Sequence, residues 1–285
     1  MNYRHAYHAG NFADVLKHAV TTAVLLRMLA RPKPMTYVES HAGAGLYRLD
    51  SPEALRSHEA DSGILRLGGA QPRSAVLAAY LRIVAALPEN EAALRAYPGS
   101  PLLAAGLLGD DDRLLLSEVV PEEAGALRHL FRHDARVSVH CRDGWEALGG
   151  LLPPTPRRGL LLVDPPYEAP DDFRRVVAGL AVARRRWPVG VLAAWYPIKD
   201  RQTLRPFHRA LAAAGLGPLL RAELSVRPDD NPAGLNGSGM VIAAPPFGLE
   251  QDLRELLAEL AGFLHQPGAP RPRVDWLAPP DAPAP

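Results

Sequence analysis

Short apolar runs alternate with longer amphipathic stretches along most of this chain. The clearest run is Gly159-Leu-Leu-Leu-Val-Asp-Pro-Pro-Tyr167. Its apolar residues are uninterrupted and end in a β-branched valine, the pattern of a strand buried on both faces of a parallel sheet. The prolines cannot donate to a ladder, so the strand stops where they begin. Comparable runs predict strands over 35–39, 112–116, 136–140 and 188–195, and a terminal strand pair over 219–226 and 240–244. Between them, helical spacing of apolar residues predicts helices over 12–30, 121–132, 171–186, 202–214 and 250–264. In the first helix Val15, Leu16, Ala19, Val20, Ala23 and Leu26 form the stripe. Asn11 is placed to cap it, with Asp14 in its first turn. Further helices open at Ser100-Pro101, as N-cap and N1, and behind Asp143 at Gly144-Trp145. Strands alternating with helices make an α/β fold with a mostly parallel sheet.

The alternation breaks over 50–97. There Leu65, Leu67, Val76, Leu77, Tyr80, Leu81, Val84 and Leu87 keep helical spacing with no strand pattern. This reads as a small helical insertion, acting either on substrate or as a stabilising lid. Residues 1–49 and 98–278 then form the main domain, 50–97 an insertion subdomain, and the proline-rich 279–285 a disordered tail. The Asp-, Asn-, Gly- and Pro-rich stretch 228–239 reads as a mobile loop near substrate.

Composition narrows the class. Hydrophobic residues make up 47% of the 285, enough for a full core. The 32 Lys and Arg nearly cancel 31 Asp and Glu, leaving a net charge of +1, so any basic footprint must be local. The single cysteine, Cys141, supports neither a disulfide framework nor a cysteine metal site, and no metal cluster stands out. With no signal-peptide core at the start and no apolar run long enough to span a bilayer, a cytoplasmic protein away from membranes is expected.

Candidate chemistry gathers at strand ends, where ligands bind in open α/β sheets. Asp164-Pro165-Pro166-Tyr167 delivers a carboxylate, a rigid backbone and a ring to the end of the central strand. Asp164 and the Pro165 carbonyl suit the two N–H groups of an exocyclic amine. Accepting both would localise its nitrogen lone pair. Tyr167 offers a face for a base taken out of its stack. Ser40-His41-Ala42-Gly43-Ala44-Gly45 follows the first strand as a small-residue cofactor turn, without the spacing of a dinucleotide fingerprint or a P-loop. Glu118 ends the second strand, where an acid accepts from ribose hydroxyls, and Asp143 follows the third. Tyr3, Arg4, His5, Tyr7 and His8, with Lys17 and His18 one helical turn in, form a polar-aromatic cluster that reads as ligand-facing. The arginines of 171–186 (Arg174, Arg175, Arg184, Arg185 and Arg186) are candidates to track phosphates.

Asp-Pro-Pro-Tyr resembles the signature of amino-group methyltransferases that use S-adenosylmethionine. The element order resembles Rossmann-like class I S-adenosylmethionine-dependent methyltransferases, with a seven-stranded mostly parallel sheet. The N-terminal block from Tyr3 to His18, with His41-Ala42-Gly43-Ala44-Gly45, Tyr97-Pro98-Gly99-Ser100-Pro101 and Asp164-Pro165-Pro166-Tyr167, is similar to the bacterial ribosomal RNA large subunit methyltransferase J family over essentially the whole chain. The resemblance implies N6-methylation of one adenine in 23S rRNA, with S-adenosyl-L-methionine as donor. It implies His18, His41, Ser100, Glu118, Asp143, Gly144 and Asp164 at the cofactor and Asp164 as the catalytic acceptor, beside the Pro165 and Tyr167 that the chemistry of the motif already assigns to catalysis. Tyr3, with Arg4, His5, His8 and Lys17 of the same block, falls to the RNA. Tyr7, Glu39-Ser40 and Val119-Val120 depart from the family pattern. Unstacking an adenine is easier in naked or partly assembled rRNA, the expected partner of a monomeric enzyme. A DNA adenine methyltransferase shares the same four residues. A binding protein on this fold and a nicotinamide-dependent dehydrogenase are more distant alternatives.

Overall fold

Residues 5–229, 231 and 234–280 are described by the computed structural model. Tyr3, Arg4 and the last five residues of the expected tail lie outside them. In chain order the elements begin with α1 (Phe12–Leu29), β1 (Thr36–Glu39), β2 (Leu46–Arg48), α2 (Pro52–Ser57), α3 (Ala75–Ala85), β3 (Ala96–Pro98) and α4 (Ser100–Leu107). The α/β core continues through β4 (Arg113–Glu118), α5 (Pro121–Leu130), β5 (Val137–Cys141), α6 (Gly144–Leu151), β6 (Gly159–Val163), α7 (Asp172–Arg186) and β7 (Val191–Ile198). It closes with α8 (Arg205–Ala213), β8 (Leu219–Ser225), β9 (Gly237–Ala243), α9 (Leu249–Leu264) and β10 (Arg273–Ala278).

The continuous apolar runs form the middle of the sheet, as their lack of polar breaks requires. All positions of β1 and β6 are buried. Eight strands lie in the order β10-β8-β9-β7-β6-β1-β4-β5. β1 is parallel to β4 and β6, β4 to β5, and β6 to β7, whereas β9 runs antiparallel to both β7 and β8. The chain winds outward from β1 through β4 to β5, then returns to β6 on the other side of β1. The strand order therefore reverses between β1 and β6, and a crevice opens at their carboxyl ends.

The sheet has eight strands rather than seven. The added one, β10, pairs antiparallel with β8 at the edge. The guanidinium of Arg221 in β8 is buried and forks onto Asp275 of β10 at 2.8 and 2.7 Å, and the Trp276 indole donates to Glu250 at 2.8 Å.

One hydrophobic cluster lies between the sheet and α1, α3, α4 and α9; the other lies under α6, α7 and α8. Helix α1 shows more than a stripe. It is wedged against α3, α4, α9 and β9, and its buried residues include Lys17, His18, Thr21 and Thr22. Asn11 caps it as expected, accepting from Asp14 N at 2.9 Å.

The segment between β2 and β3 is mostly helical. Its Ile64, Leu67, Val76, Leu77, Tyr80 and Val84 share the α1 cluster and so pack directly on the main core. The strand pattern there was too short to read: Ala96–Pro98 pairs with Leu46–Arg48 as a two-stranded ribbon.

Candidate active site

A cleft of about 1390 Å³ lies over the carboxyl ends of β1, β4, β6 and β7. His5, His8, Lys17, His18, His41, Ser100, Glu118, Asp164, Pro165 and Tyr167 all line it. The N-terminal cluster and the strand-end residues, far apart in sequence, thus meet in one place.

Asp164 leaves β6 with one oxygen engaged. Its Oδ2 accepts from Lys17 Nζ at 2.6 Å, and Lys17 also pairs with Asp14 Oδ1 at 2.9 Å. Asp14 Oδ2 in turn meets His5 Nε2 and Gly10 N, each at 3.0 Å. The result is a buried chain of alternating charge that ends at the cleft. Burial alone would lower the Lys17 ammonium, but Asp14 and Asp164 outweigh it and hold its pKa well above the usual lysine range. Burial alone would raise the Asp14 carboxyl; His5 and Lys17 outweigh that and hold it well below the usual carboxylate range. Lys17, expected to face RNA, is a buried support beneath Asp164 instead. Its position one turn after Asp14, at i and i+3, is the sequence signal that marks the pair.

Among the described residues, neither Asp164 Oδ1 nor the Pro165 carbonyl oxygen takes a hydrogen bond within the protein. Tyr167 follows with φ +53°, a conformation a bulky residue adopts only under constraint. The constraint is visible: its hydroxyl donates to the Trp195 carbonyl at 2.6 Å, and its ring packs against Phe173 and Trp195 with centroids 4.8 and 5.6 Å away.

On the β1 side, Gly43 sits at φ +60° and its N–H donates to Glu118 Oε2 at 2.8 Å, while Val120 N–H meets Oε1 at 2.8 Å. His18 is fully buried. Its Nδ1 shares a hydrogen bond with the Tyr97 hydroxyl at 2.9 Å, which meets the Tyr80 hydroxyl at 2.8 Å. Its Nε2 has no partner. Burial, with Lys17 adjacent, pulls the His18 pKa down to about 3, and burial pulls His41 down to about 4, so both rings are neutral at pH 7. The segment 50–97 therefore reaches the site in two ways: Tyr80 braces His18 through Tyr97, and Glu59 holds His8 at 2.8 Å and Asn11 at 2.9 Å.

Other expectations shift. Ser100 does not cap: α4 begins at Ser100 itself behind Gly99, and its hydroxyl donates to Glu39 at 2.5 Å. Asp143 does cap α6, accepting from Trp145 and Glu146 N–H. It and Gly144 stand beside the cleft without lining it. Gly144 packs so close to the small-residue loop that a Cβ would lie 2.0 Å from the Ser40 carbonyl oxygen. None of the five α7 arginines lines the cleft. Helix α7 runs about 22 Å away from the strand ends, and Arg184 and Arg186 bond carbonyls of Pro188, Gly190 and Leu152.

Glu39, at the end of β1, has a measurable signature. It is fully buried, accepts from Ser100 and Tyr37, and burial pushes its carboxyl up to about 8. Unfolded, it would titrate near 4.5. Between those values the folded chain holds a proton that the unfolded chain has released, so stability falls as pH rises through the window, by at most ~1.4 kcal/mol per pH unit. Thermal unfolding scanned from pH 5 to 9 is expected to show this decline in the native protein and a flatter one in Glu39→Gln. Parallel declines would remove Glu39 as its source.

A doubly wound sheet with two free acceptors and an aromatic ring where its strand order reverses belongs to the Rossmann-like methyltransferases that use S-adenosylmethionine. The family is narrower. Residues 32–278 match the model of the family described as "Ribosomal RNA large subunit methyltransferase D, RlmJ". A protein of Escherichia coli K12 named ribosomal RNA large subunit methyltransferase J is 40% identical over 279 residues, spanning 98% of this chain and 99% of its own. Its namesake in Haemophilus influenzae is 39% identical over the same shares. A crystal structure from Legionella pneumophila superposes with a TM-score of 0.84 at 30% identity, covering 94% of this chain and 98% of that one. The chain belongs to the ribosomal RNA large subunit methyltransferase J family.

Proposed function

We propose that this protein methylates the exocyclic amine (N6) of an adenine in 23S rRNA. The observation that carries this reading is the pair of unengaged acceptors, Asp164 Oδ1 and the Pro165 carbonyl, at the end of β6 in the cleft. An adenine amine has two N–H groups for them. Both accepted, its nitrogen lone pair is freed from the ring and given a fixed direction. Lys17 engages Oδ2 of Asp164 and so fixes the orientation of the carboxylate, leaving Oδ1 without a partner in the protein. Tyr167, pinned through its hydroxyl, offers ring surface for the extruded base.

The β1 side of the cleft fits S-adenosyl-L-methionine. His18 brings a buried, partnerless ring nitrogen, the Gly43 turn brings closely approachable backbone, and Glu118 stands at the end of β4 to accept hydroxyl hydrogens. His18, His41, Ser100 and Glu118 would hold the cofactor, with Asp143 and Gly144 flanking. When bound it supplies a methyl group already electrophilic on a sulfonium. The relatives named as ribosomal RNA methyltransferases support RNA over DNA as the acceptor. Among the described residues no helix is long and apolar enough to cross a membrane, and the reading places the enzyme with ribosome assembly in the cytoplasm.

The test is transfer of labelled methyl from S-adenosylmethionine to protein-free 23S rRNA, to intact large subunits and to DNA of matching sequence, with the product mapped by mass. A single N6-methyladenine in protein-free rRNA, and far less in intact subunits or DNA, is expected. Equal transfer to DNA would overturn the substrate assignment, and equal transfer to intact subunits would overturn the preference for unassembled RNA.

A further inference from the structure

The cleft is electrically lopsided. Four Lys or Arg residues line it: Lys17, Arg48, Lys199 and Arg227. Lys17 is paired with Asp14 and Asp164, and Arg48 with Asp50 at 2.6 Å. Lys199 and Arg227 have no carboxylate partner among the described residues, and both lie past the ends of β7 and β8. Apart from Asp14 and Asp164, which pair with Lys17, the acids of the lining collect at the other end. Glu118 ends β4, Glu122 follows it, and Glu53 comes from the segment after β2. β7 and β4 are separated by β6 and β1, so three strand spacings, about 14 Å, lie between the two ends. A polyanionic backbone is repelled at the β4 end and attracted at the β7–β8 end.

The two cations are held in register by one buried residue. Asn236, fully buried, donates its backbone N–H to the Ile198 carbonyl at 2.9 Å and its side-chain amide to the Lys199 carbonyl at 2.8 Å. Its own carbonyl accepts from the N–H groups of Val226 and Arg227 at 2.8 and 3.1 Å. Ile198 and Ser225 both stand opposite Gly237, on either side of β9, so the two loops leave the sheet about 10 Å apart. At about 3.4 Å per stacked nucleotide, that is a span of about three nucleotides. Among the described residues the neighbouring acids are occupied: Asp229 faces Arg201 at 3.5 Å, and Asp200 accepts from Gln202 N–H at 2.8 Å. From β6 outward the wall runs Tyr167, Trp195, Pro197, Lys199, with Arg227 and Leu235 beyond. The cations thus adjoin the acceptor pair on the side away from the cofactor residues.

We propose that Lys199 and Arg227 are a phosphate clamp that grips the RNA strand beside the extruded adenosine, so that RNA enters over the β7–β9 end of the cleft. This rests on the RNA reading above. Asn236 sets the spacing of the clamp, and the acidic β4 end excludes the strand from the cofactor half.

The test measures methyl transfer to protein-free rRNA against salt concentration for the native enzyme, Lys199→Ala and Lys199→Ala/Arg227→Ala. Lys199→Ala removes no described side-chain hydrogen bond, so folding does not confound it. Each lost phosphate contact is expected to flatten the slope of log(kcat/KM) on log salt by about 0.7. The double variant should raise KM for RNA about tenfold or more near physiological salt, with cofactor affinity by calorimetry unchanged. Arg185→Ala, on the far end of α7, should leave the slope as it is. If the native enzyme methylates RNA and the Lys199 and double variants keep its KM and salt slope, the clamp is wrong and the substrate reading stands. If the native enzyme methylates no RNA, the substrate reading fails and the clamp falls with it.

Discussion

Asp164→Ala is expected to lower kcat for methyl transfer on the order of 10²–10³-fold or more, the scale on which a single preorganised polar contact to a reacting group acts. The variant should still fold, because Lys17 keeps Asp14 as its partner. It should still bind S-adenosylmethionine, since His18, the Gly43 turn and Glu118 are untouched. The loss belongs in kcat because the contact acts on the amine as its lone pair is aimed, and a uniform loss of binding would appear in KM alone. Asp164→Asn separates two roles of the carboxylate. The amide keeps one oxygen and the shape of the side chain but removes the charge that faces Lys17, so turnover should fall between the native and alanine enzymes. Single-turnover rates with saturating cofactor check both. An alanine enzyme that turns over at the native rate would leave the acceptor pair without a role.

Asp14→Ala is expected to be the most damaging change to stability, although Asp14 touches no predicted site residue except Lys17 and His5. Its carboxylate receives three donors: Lys17 Nζ, Gly10 N–H and His5 Nε2. Removing it leaves a buried ammonium half-compensated and a buried backbone N–H unpaired. Breaking a buried charge pair in this way costs about 3–5 kcal/mol, or about 5–10 °C in the unfolding midpoint of a chain this size. Asp50→Ala, which breaks the exposed pair with Arg48, is the control and should leave the midpoint unchanged. Equal midpoints for both variants would mean that the Asp14 chain contributes nothing to the fold. The sign with acid follows from the low pKa of Asp14. Its contribution is present above the unfolded carboxylate pKa and is lost as pH falls through the folded value.

The central strands were legible because burial on both faces leaves one pattern, an unbroken apolar run, and a proline pair stops it at a defined residue. His5, His8, Lys17 and His18 were legible as chemistry because such groups are costly to bury without partners, and all four line the cleft. What could not be read was direction. Lys17 looks the same in sequence whether it faces solvent phosphates or a carboxylate 147 positions away, and only the wedging of α1 against α3, α4, α9 and β9, which brings it under Asp164, decides. Ser100 illustrates a local rule overridden by a distant group: Ser-Pro is a sound capping signal, but the buried Glu39 carboxyl takes the hydroxyl instead. Arg184, Arg185 and Arg186 lie off the cleft for a reason of length, since a helix that starts near the site ends far from it, whereas Arg174 and Arg175 at its start pair with Asp171, Asp143 and Asp172. Lys199 and Arg227 carried no signal at all. Each is an isolated cation in a loop, and they become neighbours only because β9 inserts between β7 and β8 and Asn236 joins the loops.

The fork from Arg221 to Asp275 sets an order on biosynthesis. Residues 219–225 leave the translation machinery about 50 residues before 273–278, a delay on the order of seconds at ordinary elongation rates. Until β10 arrives, β8 is an open sheet edge carrying a guanidinium that lacks its forked carboxylate and has Glu223 only at 3.8 Å, which is poor docking for a stray strand. The same charge that awaits its carboxylate thus guards the nascent edge against pairing with another chain while the polypeptide is still incomplete.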